Sequence, residues 1–338
     1  MIETLRKYES DGLVNSQTHP TLPLIIWNYS RKTEYERLWD EVTINTRGLV
    51  TDIDGNIVSC GFPKFFNIGE QRHVPSDRFE IFEKLDGQYI AAFFYKGQLV
   101  VNSRGSFTST YAIEARRILE LNMKFNWHSN PDWTYIFELI GFEQIVVKYS
   151  ESDLVLTAIF DRRNIGHEWS PNCHSVQLMN LSVAKQYNGL DWKNIQHLNW
   201  KNSEGFVVLF DNGSRCKVKF QDYVTLHRQM TNLSTTGIWE ALRQGHKVSE
   251  LLTDVPDETF DDIRKYENEL SNQFNEIVEM SSKYFQFFSP ILFDRRLIVE
   301  RIDRLLINPY KSVVKYMIDG KDHVDYIWRR IKPKFKKL

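Results

Sequence analysis

Two rhythms of apolar and polar residues divide the chain, and they change over near residue 230. Before that point, short alternating or β-rich runs sit between turn residues, a pattern that predicts strands. Phe79-Glu80-Ile81-Phe82 and Gln88-Tyr89-Ile90-Ala91-Ala92-Phe93-Phe94 flank a tight turn, and Leu99-Val100-Val101 follows across a Lys96-Gly97 turn. Tyr135-Ile136-Phe137 leads into Leu139-Ile140, and Val155-Leu156-Thr157-Ala158-Ile159 reads as a buried strand. Phe206-Val207-Val208-Leu209-Phe210 and Cys216-Lys217-Val218-Lys219-Phe220 enclose Asp211-Asn212-Gly213-Ser214, a hairpin signal. One helix is predicted in this stretch, about Ser109 to Leu121, with Ala112, Ala115 and Leu119 at helical spacing.

After residue 230 the period becomes helical. Asp254 suits an N-cap, with Pro256 and acidic residues in the first turn. Phe260, Ile263, Leu270, Phe274, Ile277 and Tyr284 then form one apolar stripe. Leu297, Ile298, Ile302 and Leu305 form a second that stops at Asn308-Pro309, and Val313, Val314 and Met317 a third. Such stripes are packing faces before they are cofactor boxes. The expectation is an α+β chain. A domain of antiparallel sheets with flanking helices spans residues 1–230, and a small all-helical domain spans 231–338.

Composition narrows the classes. The chain has 338 residues, 42% hydrophobic and 14% aromatic, enough for real cores and unlike a disordered protein. Its net charge of −1 excludes a basic coat for nucleic acid, so any such contact must be a local patch. Cys60, Cys173 and Cys216 are odd in number and widely spaced, which suggests free thiols in a reducing, cytoplasmic compartment. Cys173-His174 lacks the paired spacing of a zinc site. No apolar run approaches the length of a membrane span, and no signal peptide is evident. No Gly-x-x-x-x-Gly-Lys-Ser/Thr stretch occurs, which argues against a kinase within the chain.

Candidate chemistry gathers before residue 230. Glu83-Lys84-Leu85-Asp86-Gly87 lies between two of the predicted strands. A lysine on such an edge, pointing into a pocket, can act as an amine nucleophile. Lys-x-Asp-Gly is the signature of enzymes that attack the α-phosphate of a nucleoside triphosphate, although Asp-Gly turns are common in hairpins. That reaction needs an amine partly free of its proton, a held triphosphate, cations against the developing charge, and a divalent metal. Lys217 and Lys219 project from one strand face; they are phosphate ligands or an ordinary solvated face. Glu204 stands at the mouth of a strand, where it can orient metal-bound water or merely end a turn. Glu138 interrupts an apolar run and needs a partner: ribose hydroxyls, metal-bound water or a structural lysine. Arg47-Gly48 and Lys64-Phe65-Phe66-Asn67 lie upstream, where a cation beside rings can hold phosphate or belong to core and surface.

Taken together, these motifs resemble those of covalent nucleotidyltransferases, the polynucleotide ligases and capping enzymes. The finer resemblance is to the T4 RNA ligase 1-like family and covers roughly residues 40 to 230. It includes Ser103-Arg104-Gly105-Ser106, Ile145-Val146-Val147-Lys148-Tyr149 and Lys219-Phe220-Gln221-Asp222-Tyr223-Val224-Thr225-Leu226-His227. The resemblance implies a nucleotidyltransferase domain of ATP-grasp-like ligase type. It also implies ATP with Mg²⁺ or Mn²⁺, and a reaction through lysyl-AMP and RNA-adenylate that joins 5′-phosphate to 3′-hydroxyl RNA ends. Lys84 would be the nucleophile, with Lys217, Lys219 and Glu204 acting beside it. Glu83, Arg47, Lys64, Phe66, Gly87, Arg104, Glu138, Lys217 and Lys219 would bind the nucleotide, and Glu138 and Glu204 the metal. The partner would be RNA, a nicked tRNA among the candidates, handled by a soluble monomer; a phage gene acting in a bacterial host is one fitting source. Arg104 stands where the family usually has lysine, and Gly141-Phe142-Glu143-Gln144 lacks the proline and Asn-Arg pair common there. Other readings are a DNA ligase, a GTP-using capping enzyme, or an inactive RNA-binding module. The helical region would tune RNA choice. Its basic run Arg329-Arg330-Ile331-Lys332-Pro333-Lys334-Phe335-Lys336-Lys337 would follow an RNA backbone or remain a solvated terminus.

Overall fold

A computed structural model describes all residues except 71–74, 77, 123, 126–128, 143–145, 165–166, 170, 172, 231–233, 253–259, 292–293 and 337–338. The expected cap at Asp254 and Pro256, and Glu143, Gln144, Ile145 and Lys337, lie outside the described residues. The chain divides into two compact units, Met1–His227 and Arg228–Leu338.

The first unit is mixed α+β. Strands β1 (Val14–Thr18), β2 (Leu24–Tyr29), β3 (Arg47–Asp52) and β4 (Ile57–Ser59) form an antiparallel sheet in that order. Strands β5 (Phe66–Asn67) and β6 (Phe79–Lys84) belong to a second sheet. Strands β7 (Gln88–Tyr95), β8 (Gln98–Ser103), β9 (Trp133–Ile140), β10 (Asp153–Asp161), β11 (Glu168–Trp169) and β12 (Ser182–Val183) build a third. The second sheet is completed by β13 (Gln186–Tyr187), β14 (Gly205–Phe210) and β15 (Arg215–Lys219), in the order β13-β6-β14-β15-β5. The third runs β11-β10-β9-β7-β8, with β12 beside β10.

The expectation of antiparallel sheets holds except at two short pairings, β5 with β15 and β10 with β12, which are parallel. Each minor strand has two residues and is reached by a long excursion, so no hairpin dictates its direction. The first sheet has no counterpart among the strands predicted above. In β2, Leu24 to Trp27 are all buried, and a run buried on both faces shows no alternation.

Helix Thr110–Leu121 forms as its spacing predicts. Ser109 caps it by accepting from Ala112 N, and Ala112, Ala115 and Leu119 are its buried positions. Ala115 and Leu119 pack on Ile90, Ala92, Tyr135, Phe137 and Leu139, one face of the third sheet. Ile136, Tyr89, Ala91 and Ala158 form a separate cluster on the opposite face. Both faces of β9 are therefore covered, and Glu138 lies on the same side as Ile136.

The described elements of the second unit are helices, of which Phe260–Phe288 is the longest at 29 residues. Phe274 stacks on Trp328 with ring centroids 4.6 Å apart. The second stripe differs from expectation at one position: Leu305 is 60% exposed, whereas Leu306 is buried. The helix ends at Leu305, and the extended backbone of Leu306 turns that next side chain inward. The basic run is not loose at Lys334 and Lys336. Thr235 N donates to Lys336 O at 2.9 Å, and Thr235 Oγ1 donates to Lys334 O at 2.8 Å.

Candidate active site

Three adjacent strands bring the amine and its neighbours together. In the pairing of β6 with β14, Lys84 lies opposite Gly205; in that of β14 with β15, Lys219 does. Gly205 has a φ of +153°, and a Cβ there would stand 1.9 Å from Val218 O. Only glycine lets the three strands close at this point. Glu204, one residue upstream, then reaches both lysines. Its Oε1 is 2.8 Å from Lys84 Nζ and 3.7 Å from Lys219 Nζ. Lys217 lies opposite Val207 and is only 8% exposed, so the Lys-x-Lys pair is not a solvated strand face. Val218, between them, packs with Phe206 and Phe220 on the other side of the sheet.

The turn after Lys84 is anchored by residues distant in sequence. Asp86 accepts from Val147 N at 2.9 Å and from Tyr223 Oη at 3.0 Å, and Asp86 N donates to Tyr149 Oη at 3.0 Å. Gly87 is needed because of what lies behind it. A Cβ there would stand 2.5 Å from Leu139 O and 2.8 Å from Glu138 Cγ. Asn202 secures the nearby segment by bonding both Lys148 N and Lys148 O, at 2.8 and 3.0 Å.

A cavity of about 1310 Å³ opens beside this turn, and its wall includes Glu83, Lys84, Leu85, Arg47, Glu138, Phe62, Phe65 and Arg215. Burial pushes the Glu138 carboxyl up to about 7; Lys84 and Arg47 oppose this, while Glu204 and Asp86 add to it. Burial also raises Glu83, against the charge of Lys185. The Arg47 guanidinium lies 4.8 Å from the Tyr89 ring centroid and 5.5 Å from that of Phe62.

Among the described residues, the cavity wall does not include Gly87, Glu204, Lys217 or Lys219, which belong to the turn and strand junction around Lys84, nor does it include Lys64, Phe66 or Arg104. The last three gather around Tyr29 instead. Arg104 Nη1 donates to Tyr29 Oη at 3.2 Å, and Lys64 Nζ lies 5.3 Å from the Tyr29 ring and 2.5 Å from Glu34 Oε1. Phe66 meets Trp39 edge-on at 5.5 Å. Burial would raise the Tyr29 phenol, but Arg104 and Lys64 outweigh it and hold the group below its ordinary value. Arg47 also acts on Tyr29, so this cluster adjoins the cavity.

Sequence reasoning gave no role to Tyr29, Asp86 or Tyr89, and quoted Tyr149 and Tyr223 only inside runs that resemble the family's. Asp86 sat within the lysine motif but was read only as a turn residue. Tyr29 and Tyr89 adjoin apolar runs, Tyr149 and Tyr223 stand among polar neighbours, and in neither setting does anything local separate a core ring from a site ring.

No group of three metal-binding side chains occurs among the described residues. The charge of Glu204 helps raise Glu138, which places the two carboxyls within electrostatic reach of one another. Mg²⁺ commonly takes one or two carboxylates and fills its shell with water and substrate phosphate, which such a pair fits. No helix among the described residues is long and apolar enough to cross a membrane. Cys60, Cys173 and Cys216 are free thiols.

Comparison with known proteins bears on the same stretch of chain. A family model described as RNA ligase, of the T4 RNA ligase 1 type, matches residues 45–224, more than half of the chain. A protein of Thermovibrio ammonificans assigned as an RNA ligase is 32% identical over 123 residues, 33% of this chain and 32% of the relative. One of Autographa californica nuclear polyhedrosis virus, assigned as a bifunctional polynucleotide kinase/RNA ligase, is 24% identical over 240 residues, 62% of this chain and 34% of the relative. The chain thus spans about a third of the length of these curated relatives. Among solved structures, Naegleria gruberi RNA ligase with pyrophosphate has a TM-score of 0.38 and 16% identity, over 45% of this chain and 52% of that one. A variant of it with ATP and Mn has a TM-score of 0.37 and 17% identity, over 43% and 49%. A likeness that slight bears on neither fold nor chemistry. The match over residues 45–224 is decisive: the chain belongs to the T4 RNA ligase 1-like family of RNA ligases.

Proposed function

We propose that the protein is an ATP-dependent RNA ligase that joins 5′-phosphate and 3′-hydroxyl ends. The observation that carries this reading is the setting of Lys84. Its amine stands on a cavity wall, 2.8 Å from Glu204, with Lys219 on the same carboxylate and Arg47 and Glu138 on the same wall.

In the first step Lys84 Nζ attacks the α-phosphorus of ATP. The N–P bond forms, the bond to the pyrophosphate oxygen breaks, and pyrophosphate leaves. The amine must shed a proton, and Glu204 Oε1 is the acceptor in reach. Lys217 and Lys219 offset charge on the phosphate oxygens. Arg47 holds the polyphosphate, and Lys64 and Arg104 supply positive charge from the Tyr29 cluster. In the second step a 5′-phosphate oxygen of RNA attacks the same phosphorus, the N–P bond breaks, and Lys84 recovers its proton. In the third a 3′-hydroxyl attacks the activated end and AMP departs. A Mg²⁺ or Mn²⁺ ion held near Glu138 and Glu204 would withdraw charge from the phosphate oxygens. On this reading residues 1–230 perform adenylyl transfer, and residues 231–338 select among RNA ends.

The test is a mass measurement on the full chain incubated with ATP and Mg²⁺, then digested. One adenylate is expected on the peptide that holds Lys84, and none on Lys84→Ala. The variant is still expected to seal RNA whose 5′ end is already adenylylated, since that step needs no amine nucleophile. Labelling of Lys84→Ala, or labelling by GTP in place of ATP, rejects the reading.

A further inference from the structure

Arg47 is half-buried, and its guanidinium is held in an unusual way for a cation. Its guanidinium carbon lies 4.8 Å from the ring centroid of Tyr89, 5.5 Å from Phe62 and 5.9 Å from Phe65. The rings brace one another: Phe62 meets Phe65 at 5.8 Å, Tyr89 at 6.2 Å and Phe160 at 6.0 Å, all near edge-on. Aromatic faces attract a guanidinium but accept no ordinary hydrogen bond, so they desolvate the cation without satisfying its N–H groups. Arg47 Nη1 is accordingly buried with no hydrogen-bond partner among the described residues. Arg215 offers a contrast on the same ring. It lies 5.0 Å from Phe62, but its guanidinium is ion-paired with Glu168. Glu138 senses the charge of Arg47 yet does not bond the orphaned nitrogen.

Tyr89 reaches its place because two glycines leave room. A Cβ at residue 48 would stand 3.0 Å from the ring, and one at residue 61 would stand 2.2 Å from the hydroxyl. The hydroxyl itself is buried without a partner among the described residues, so the ring and not the phenol oxygen accounts for the arrangement.

We propose that Phe62, Phe65 and Tyr89 are positioning residues that clamp the Arg47 guanidinium flat in the cavity wall, with its unpaired N–H aimed at the polyphosphate of the nucleotide. The clamp rests on the ligase reading for its ligand. Its physical content is narrower: an anion site built from one arginine and three rings. Pre-orientation of this kind removes the cost of ordering a long side chain when the anion binds. A lysine cannot replace the arginine, because an ammonium lacks the planar face that stacks and the fork that bonds.

The test separates clamp from ligase. Binding of inorganic tripolyphosphate, of ATP and of adenosine is measured by calorimetry on the full chain, alongside the rate of lysyl-adenylate formation. Tyr89→Leu is expected to weaken tripolyphosphate and ATP about tenfold and to leave adenosine unchanged. Tyr89→Phe restores what the leucine loses. In an Arg47→Ala background, Tyr89→Leu is expected to change tripolyphosphate affinity by less than about twofold, since no guanidinium remains to be held. Phe65→Leu repeats the cycle should Tyr89→Leu fail to fold. An equal loss from Tyr89→Leu with and without Arg47, or unchanged tripolyphosphate binding, overturns the clamp. Intact coupling in a protein that never forms the lysyl adenylate leaves the clamp standing and removes the ligase.

Discussion

A carboxylate flanked by apolar strand neighbours charges at a cost, and Glu138 carries that cost in this fold. Burial first, then the charge of Glu204, moves it up to about 7 against the pull of Lys84 and Arg47. The folded state then binds this proton more tightly than the unfolded chain does. Between roughly pH 4.5 and 7, stability falls as pH rises, and above that window the full penalty is present, about 3 kcal/mol. Glu138→Gln is therefore expected to raise the unfolding free energy at about pH 8, by an amount that shrinks toward pH 5. Denaturant titrations of both proteins at several pH values check this, and an advantage independent of pH would contradict it. At this scale much of the candidate site was legible. Lys84, Glu138 and Glu204 each stood out as charges at strand edges or inside apolar runs. Tyr29 and Tyr223 did not, because the sequence around a tyrosine looks the same whether its hydroxyl meets Arg104, Asp86 or nothing.

Among the elements, the junction of β6, β14 and β15 does most to assemble the site. Its tolerance is set at Gly205, where a Cβ would meet Val218 O at 1.9 Å. Gly205→Ala must open the pairing that puts Lys84 and Lys219 on one carboxylate. It is expected to destabilise the fold by about 2–3 kcal/mol and to abolish adenylylation. Gly213→Ala, at a hairpin turn with φ +80° and nothing within 4 Å, is expected to cost about 1 kcal/mol and leave labelling intact. Equal losses from the two would deny the junction its special place. The hairpin from Phe206 to Phe220 and the helix from Thr110 to Leu121 could be read in advance, because each buries residues at its own regular period. The parallel pairing of β5 with β15 could not, since two residues carry no period and their partner lies far along the chain.

Across the whole molecule the charge is nearly balanced, at −1, so electrostatic attraction to RNA must be local. In the second unit the basic run is the candidate for such a locality. Its backbone is tied to Thr235 while Phe335 is 73% exposed. Replacing Lys332, Lys334 and Lys336 with Glu is expected to weaken RNA binding and to lower its salt dependence by a slope of about 2, without slowing self-adenylylation. Affinity titrations over a range of salt check this; an unchanged slope removes the run from the RNA surface. The order of residues by itself determined the longer strands of the second and third sheets, the main helices, the lysine turn and the change of texture near residue 230, because each is a local pattern of which side is buried. Tertiary structure alone decided that Gly205 would bring Lys84 and Lys219 to Glu204, and that Phe62, Phe65 and Tyr89 would surround Arg47. Those meetings join segments far apart in the chain, and only the simultaneous packing of three sheets determines which of them touch.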